Sequence, residues 1–400
     1  MTMTHALVLW IVLGFACVPL LYYVFALDTA RRFLATSASA GDRDFTPPIS
    51  VLKPVRGLDR NAFEQFSSFC RQDYPHYEIL FAVADRDDPA IPVIRQVIET
   101  YPNRSIRLIV GVAEVGPSSK VNKLCRLVRE ARHDVLVVSD SDITAPPGYL
   151  RAVAAPFRDE HVGGVTCLYR GASDGGLSSD LEGLGISTDF APGVLVARRL
   201  EGVRFMLGAT MATTRAVLRE IGGFEALADY CADDYEIGHR IAALGRRIEF
   251  AACTVSTASA AASVADFCRH ELRWAITLRH ARPWGYVGRF IGTQGLPWTL
   301  AAAVLAPWPA VAGAYAAAYV VLRLSLAWTV GWKGLGDETV RRRLWLVPVR
   351  DGLSFLVSLA AFCSNTIDWR GRSYELRRGK LIPIGAAGRE PDGTEQYLRP

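Results

Sequence analysis

Val135-Leu136-Val137-Val138-Ser139-Asp140-Ser141-Asp142 is an apolar run that ends in two carboxylates two residues apart. Side chains alternate between faces in extended backbone, so Asp140 and Asp142 point the same way at the end of a strand. Two like charges held together are costly unless a cation neutralises them. Carboxylate oxygens suit Mg²⁺ or Mn²⁺, and such an ion can bridge a diphosphate and stabilise it as a leaving group. The same residues would also serve a solvated strand-end turn with helix-capping aspartates, because an isolated Asp-x-Asp is a weak signal. The surrounding pattern separates the two readings.

Outward from this run, short apolar stretches recur at 49–52, 78–84, 106–110 and 164–168, each compatible with a buried strand. Helix-like segments fall between them near 60–72, 89–101 and 118–131. The alternation of strand and helix predicts an α/β fold with a mostly parallel sheet covered on both faces. Ligands of such a sheet bind beyond the carboxyl ends of its strands. Lys53, Pro54 and Arg56 close the first strand, where positive charge facing a phosphate is expected, although a plain solvated loop fits them as well. Asp85, followed by Asp87 and Asp88, closes the second strand; it either orients a nucleotide or caps the helix that starts near Pro89.

Two later segments add titratable groups. Asp233 and Asp234 open an amphipathic helix, where acidic residues are stabilising in themselves. A transferase also needs a general base beside its acceptor hydroxyl, and a carboxylate with acidic neighbours has the raised pKa for it. His270-Glu271-Leu272-Arg273-Trp274 lies among Arg269, Arg279 and Arg282. Arg and Trp side by side can hold a diphosphate and stack on a sugar; an interfacial basic helix on lipid fits the same residues.

Membrane signals flank this domain. Residues 6–27 are almost uncharged and long enough to cross a hydrocarbon core of about 30 Å. Arg31 and Arg32 follow that run, which argues against a cleavable signal peptide and places the next residues in the cytoplasm. Residues 36–48 have a linker composition. Three more apolar stretches, 290–308, 310–330 and 344–363, read as membrane segments. Lys333 and residues 341–343 favour a cytoplasmic loop, yet Arg370, Arg372, Arg377, Arg378 and Lys380 make the tail basic too. An odd number of crossings satisfies only one of these, so either the segment carrying Arg350 and Asp351 is re-entrant or interfacial, the favoured expectation, or the tail is exported despite its charge. The apolar stretch 190–211, interrupted by Arg198, Arg199, Glu201 and Arg204, is a further interfacial candidate. The chain thus divides into a membrane helix (1–30), a linker (31–48), a cytoplasmic domain (49–283), a membrane region (284–366) and a basic tail (367–400).

Composition agrees with that division. Half of the 400 residues are hydrophobic while 21% are charged, the mixture of membrane segments and a water-facing domain. The net charge of +5 comes from basic residues that are almost all Arg, which suits lipid head groups or phosphates. No nucleic-acid motif is present. The eight cysteines form no CxxC pair, so structural zinc is not expected, and they suit reduced thiols.

With these pieces in order, the chain resembles the ceramide glucosyltransferases of glycosyltransferase family 21. The resemblance rests on Ile49-Ser50-Val51-Leu52-Lys53-Pro54, Tyr74-Pro75, Tyr77-Glu78-Ile79-Leu80-Phe81, Asp85 with Asp88-Pro89-Ala90, Lys120-Val121-Asn122, Ser139-Asp140-Ser141-Asp142, Asp233-Asp234-Tyr235 and Arg273-Trp274. It implies a GT-A nucleotide-sugar domain. It further implies that Asp85 contacts the nucleotide, that Asp140 and Asp142 hold the metal and donor, and that Asp234 is the base. Lys53, Pro54, Lys120 and His270 then belong with the donor, and Arg273 and Trp274 with the family's Gln/Arg-x-x-Arg-Trp motif. The first position of that motif is His270 here, a departure from the pattern. Within the family the chain is most similar to a bacterial hopanoid-associated branch, which implies an inner-membrane enzyme placing N-acetylglucosamine from a UDP-sugar on bacteriohopanetetrol. Glucose transfer to ceramide, a processive polysaccharide synthase and a non-catalytic membrane scaffold are the alternatives. The expectation common to the enzymatic readings is that Asp85, Asp140, Asp142 and Asp234 line one pocket.

Overall fold

A computed structural model describes residues 3–36, 45–259, 261–306, 308–369 and 371–384. Eight strands form one mixed sheet: β1 (Ile49–Val55), β2 (Tyr77–Val83), β3 (Ser105–Val110), β4 (Val135–Val138), β5 (Ile143–Thr144), β6 (Val162–Ala172), β7 (Met211–Thr214) and β8 (Arg247–Ala258). Their order is β3-β2-β1-β4-β7-β6-β8-β5. The first four strands pair in parallel, as the alternation of strand and helix requires. Residues of one parity, Ile49, Val51, Ile79 and Phe81, pack with Phe66, Phe69 and Ile94 from the helices Ala62–Cys70 and Ala90–Thr100. Those of the other parity, Leu52, Leu80 and Leu136, pack with Val121 and Leu124 of the helix Ser119–Glu130. Burial on both faces explains why these strands read as unbroken apolar runs.

Beyond β4 the sheet departs from the parallel expectation. β7 runs antiparallel to both β4 and β6, β6 pairs in parallel with β8, and β5 is antiparallel to β8. β5 (Ile-Thr) and β7 (Met-Ala-Thr-Thr) lack the unbroken run of large apolar residues that marks β4, so they do not announce themselves in sequence.

The first helix extends over Met3–Thr36. Residues 31–36 of the expected linker therefore belong to this helix, and 37–44 lie outside the described residues. Among the described residues, three helical stretches are long and apolar enough to cross a membrane: Leu9–Ala35, Pro309–Gly334 and Glu338–Cys363. The stretch at 290–308, read above as one membrane segment, is instead two helices, Pro283–Gly292 and Gly295–Leu305. Tyr23 stabilises the break: its hydroxyl donates to the Thr293 carbonyl at 2.9 Å and lies 3.2 Å from the Gly295 N–H that donates to it. Backbone groups freed by an interruption in apolar surroundings need such partners. Gly295–Leu305 and Pro309–Ala327 then form an antiparallel pair beside the first helix, with Ala302 and Tyr315 near Leu13 and Tyr319 near Tyr23.

Both ends of Glu338–Cys363 meet the sheet domain. At one end Arg170 of β6 donates to the carbonyls of Leu335 (2.8 Å) and Gly336 (2.6 Å), and Ser187 donates to Asp337 (2.6 Å). At the other, Arg279 of the helix Val264–Ala281 donates to the Ser364 carbonyl at 2.7 Å.

The tail needs a correction. Residues 366–383, read as the end of the membrane region and a basic tail, form a three-stranded antiparallel sheet of β9 (Thr366–Trp369), β10 (Arg372–Arg377) and β11 (Lys380–Pro383). Positive φ at Arg378 (50°) and Gly379 (79°) supplies the backbone of a tight hairpin turn. The sheet is tied to the main domain just before residue 233: the Cys231 N–H donates to Gly379 O (3.0 Å) and the Leu381 N–H to Asp229 O (2.7 Å).

Candidate active site

A cavity of about 650 Å³ opens at the carboxyl ends of β1 and β4. Its lining includes Pro54, Arg56, Lys120, Asp140, Asp142, Asp233, Asp234, His270, Arg273 and Trp274. Segments separated by more than two hundred residues are thus brought to one place.

The loop after β4 carries the first carboxylates. Lys53, fully buried on β1, lies beneath this loop: its Nζ donates to the Asp140 carbonyl at 2.7 Å and rests 3.8 Å from the Phe69 ring centre. Lys53 therefore shapes the loop from below, and Pro54 beside it reaches the lining. Burial pushes the Lys53 ammonium down to about 7 against the pull of Asp142 and Asp140. The Asp142 carboxylate accepts from Thr257 Oγ1 at 2.6 Å. Burial first, and then the charge of Asp140, push Asp142 up to about 6.

The second group comes from the helix Asp233–Ala243. Gly238 lets this helix lie against the backbone of Phe205 and Met206, where a Cβ would sit 2.3 Å from the Phe205 carbonyl carbon. That approach delivers Asp234 to Gly208, whose N–H donates to Asp234 Oδ2 at 3.0 Å; the Tyr235 N–H donates to Oδ1 at 2.8 Å. A Cβ on Gly208 would lie 3.1 Å from Asp140 Oδ2 and 3.4 Å from Asp234 Oδ2, so the two acids approach one point. Lys120 joins them, 3.0 Å from Asp140 Oδ1 and 3.1 Å from Asp233 Oδ2. Burial and the Asp233 charge push Asp234 up to about 6, although Lys120 and the Tyr235 N–H pull the other way. Burial is also the first cause of the raised Asp233 value. One lysine does not neutralise three neighbouring acids, so this wall of the cavity remains short of positive charge.

That deficit fits a divalent cation. Among the described residues no group of three His, Cys, Asp or Glu side chains is gathered to hold a metal by itself. Asp140 and Asp142 supply two hard oxygen donors at the mouth of a cavity, the pattern expected for Mg²⁺ or Mn²⁺ when substrate phosphates complete the shell.

Asp85 does not join the cluster. It is exposed, absent from the cavity lining, and its Oδ1 accepts the Asp87 N–H at 3.1 Å. Like Asp140 it follows its strand by two residues, but β2 is separated from β4 by β1 in the sheet. Asp88 is the buried acid there, accepting from the N–H groups of Gly57 (2.8 Å) and Ala90 (2.9 Å).

Several lining residues escape the sequence reading of the site, Glu182, Trp369 and Tyr374 among them. Glu182 belongs to a helix, Leu177–Gly185, that carries no motif. Trp369 and Tyr374 come from the tail sheet, and Tyr374 donates to the Pro117 carbonyl at 3.3 Å. Two glycines eight residues apart, Gly371 and Gly379, bracketing the alternating β10, were the available signal.

Similarity to known proteins agrees with this geometry. Ceramide glucosyltransferase 1 of Caenorhabditis elegans is 30% identical over 236 residues, 59% of this chain and 50% of the relative. Ceramide glucosyltransferase 3 of the same organism is 25% identical over 264 residues, 66% of this chain and 57% of the relative. The chain spans about half the length of the curated relatives it matches. Among solved structures, a mannosyltransferase from Pyrobaculum calidifontis in complex with GDP-Man and Mn²⁺ superposes with a TM-score of 0.47 at 17% identity, over 86% of this chain and 99% of that one, too distant to bear on substrate or metal. The profile of glycosyl transferase family 21 matches residues 10–382, and the chain belongs to that family.

Proposed function

We propose that the chain transfers a sugar from a UDP-sugar to a membrane-lipid hydroxyl in a single inverting displacement. The observation that carries this reading is the meeting of Asp140, Asp142 and Asp234 on one cavity beside Arg273 and Trp274. Asp234 takes the proton from the acceptor oxygen as that oxygen attacks the anomeric carbon; its raised value of about 6 makes it a stronger base than an ordinary carboxylate. Asp140 and Asp142 would hold Mg²⁺ or Mn²⁺, which would supply positive charge toward a departing diphosphate. Lys120 restrains Asp140 and Asp233, and Arg273 adds positive charge to the lining. Alignment of two bound reactants supplies much of the remaining acceleration.

The lipid reaches the site from the bilayer beside the first helix, and the catalytic cavity faces the cytoplasm of a bacterial inner membrane. Arg31 and Arg32 after the first span support that orientation. N-acetylglucosamine and bacteriohopanetetrol are the proposed pair, on the resemblance of the chain to the hopanoid-associated branch; the tail Asp368-Trp369-Arg370-Gly371-Arg372-Ser373-Tyr374 is also similar to that of bacterial relatives. Glucose and ceramide form the second reading, favoured by the names of the curated relatives. Purified protein given Mn²⁺, a panel of UDP-sugars and both lipids decides between them by product chromatography. Hydrolysis or transfer with neither lipid would overturn the acceptor, and no turnover of any UDP-sugar would overturn the reaction.

A further inference from the structure

Glu182 is the one cavity-lining glutamate, and none of the aspartate chemistry above uses it. It is 3% exposed, accepts a hydrogen bond from the Ser259 hydroxyl, and its Oε1 lies 2.5 Å from His270 Nδ1. Burial acts to raise Glu182, but His270 and Ser259 outweigh it and hold its carboxyl below the usual range. The group is therefore an anion, and an anionic carboxylate only accepts. It follows that His270 Nδ1 carries the proton between them. This is the arrangement by which a buried carboxylate selects the tautomer of a histidine and fixes the direction of its ring.

The rest of the ring is held as well. His270 leans on Trp274 with ring centres 4.5 Å apart and planes at 45°. With Nδ1 committed to Glu182, Nε2 is the remaining polar atom of a ring that lines the cavity. In the neutral imidazole that nitrogen is an acceptor, and its natural partner in a water-accessible sugar site is a hydroxyl. We propose that Glu182 and His270 act as one unit that binds a substrate hydroxyl at His270 Nε2, with Glu182 as the positioning residue. This rests on the sugar-transfer reading. The hydroxyl belongs either to the transferred sugar or to the lipid acceptor, and the two sources separate kinetically.

The test uses the full chain in lipid nanodiscs, with kcat and KM measured separately for UDP-sugar and for acceptor. His270→Phe keeps the stacked ring and removes Nε2. The expected result is a rise of about tenfold in one KM, from loss of one hydrogen bond, with UDP affinity within twofold. A rise in donor KM assigns the hydroxyl to the sugar, and a rise in acceptor KM assigns it to the lipid. Glu182→Ala should reproduce the same change in smaller measure, and adding it to His270→Phe should change nothing further. Unchanged KM values in His270→Phe overturn the proposal, as does a full Glu182→Ala loss in the His270→Phe background. If His270→Phe fails to fold, Glu182→Ala and His270→Gln carry the same comparison. Absence of turnover in the wild-type protein would instead sink the sugar-transfer reading.

Discussion

The molecule buries charge in two places and treats it in opposite ways. At the junction between domain and membrane helices, three acids meet three arginines. Arg323 binds both oxygens of Asp351 at 2.7 and 2.8 Å, Arg350 reaches Glu271 at 2.5 Å and Asp189 at 3.4 Å, and Arg289 reaches Asp189 at 2.5 Å. Tyr319 and Thr188 take up remaining lone pairs and protons. Burial would raise Asp189, but Arg289 and Arg350 hold its carboxyl below the usual range. In the cavity, Lys120 lies 3.0 Å from Asp140 and 3.1 Å from Asp233, with Asp142 and Asp234 close by among like charges, and Asp142 and Asp234 are pushed up instead. A matched cluster is structure; an unmatched one holds free energy that a bound cation and substrate can release.

The comparison breaks most visibly at Asp234. Asp234→Asn should cut turnover by about 10²–10⁴-fold while thermal stability holds or rises. A sharp loss of stability with turnover intact would mean that the cavity acids are structural after all. Arg323→Met tests the other side. It strands Asp351, and removal of one partner from a buried pair costs about 3–5 kcal/mol, read as a fall in Tm in detergent with UDP affinity unchanged. Next in size is ligand linkage: UDP with Mn²⁺ at 100 times Kd should stabilise the protein by about 2.7 kcal/mol, and Asp142→Asn should remove the metal-dependent share.

A pH scan sharpens the contrast further. Asp142 and Asp234 have ordinary values of 3.8 and folded values of about 6, so between those limits the native state holds more protons than the unfolded chain. Their contribution to stability is complete below about pH 4 and is lost as pH rises through about 6. Asp189 has the opposite sign: its contribution is present above its ordinary value and is lost as pH falls through the lowered one. Metal-free protein should show a stability decline from pH 4 to 6 that Asp142→Asn and Asp234→Asn each flatten. Smallest of all, Trp369→Ala should change turnover less than about tenfold, mainly through KM, since it removes one wall of the cavity and none of its charge.

The carboxylates were legible because each follows or opens a patterned element. Asp140 and Asp142 end an apolar strand, and Asp233 and Asp234 start an amphipathic helix. Asp85 has the same sequence context as Asp140, two residues past the end of its strand, yet it lies outside the cavity, because β1 separates β2 from β4 in the sheet while β4 stands beside β7. The break at Thr293 was hidden for a different reason. Its stabilising partner, Tyr23, is 270 residues away.

Periodicity and terminal residues, both local properties of the chain, determined the parallel half of the sheet, the membrane helices and the positions of most site acids. Tertiary structure alone decided which buried charges are matched. Arg350 and Asp189 are 161 residues apart and Glu182 and His270 are 88 apart, and nothing local records either pairing. Compensation of a charge depends on what lies within a few ångströms of it, and in a folded chain that neighbourhood is assembled from distant segments.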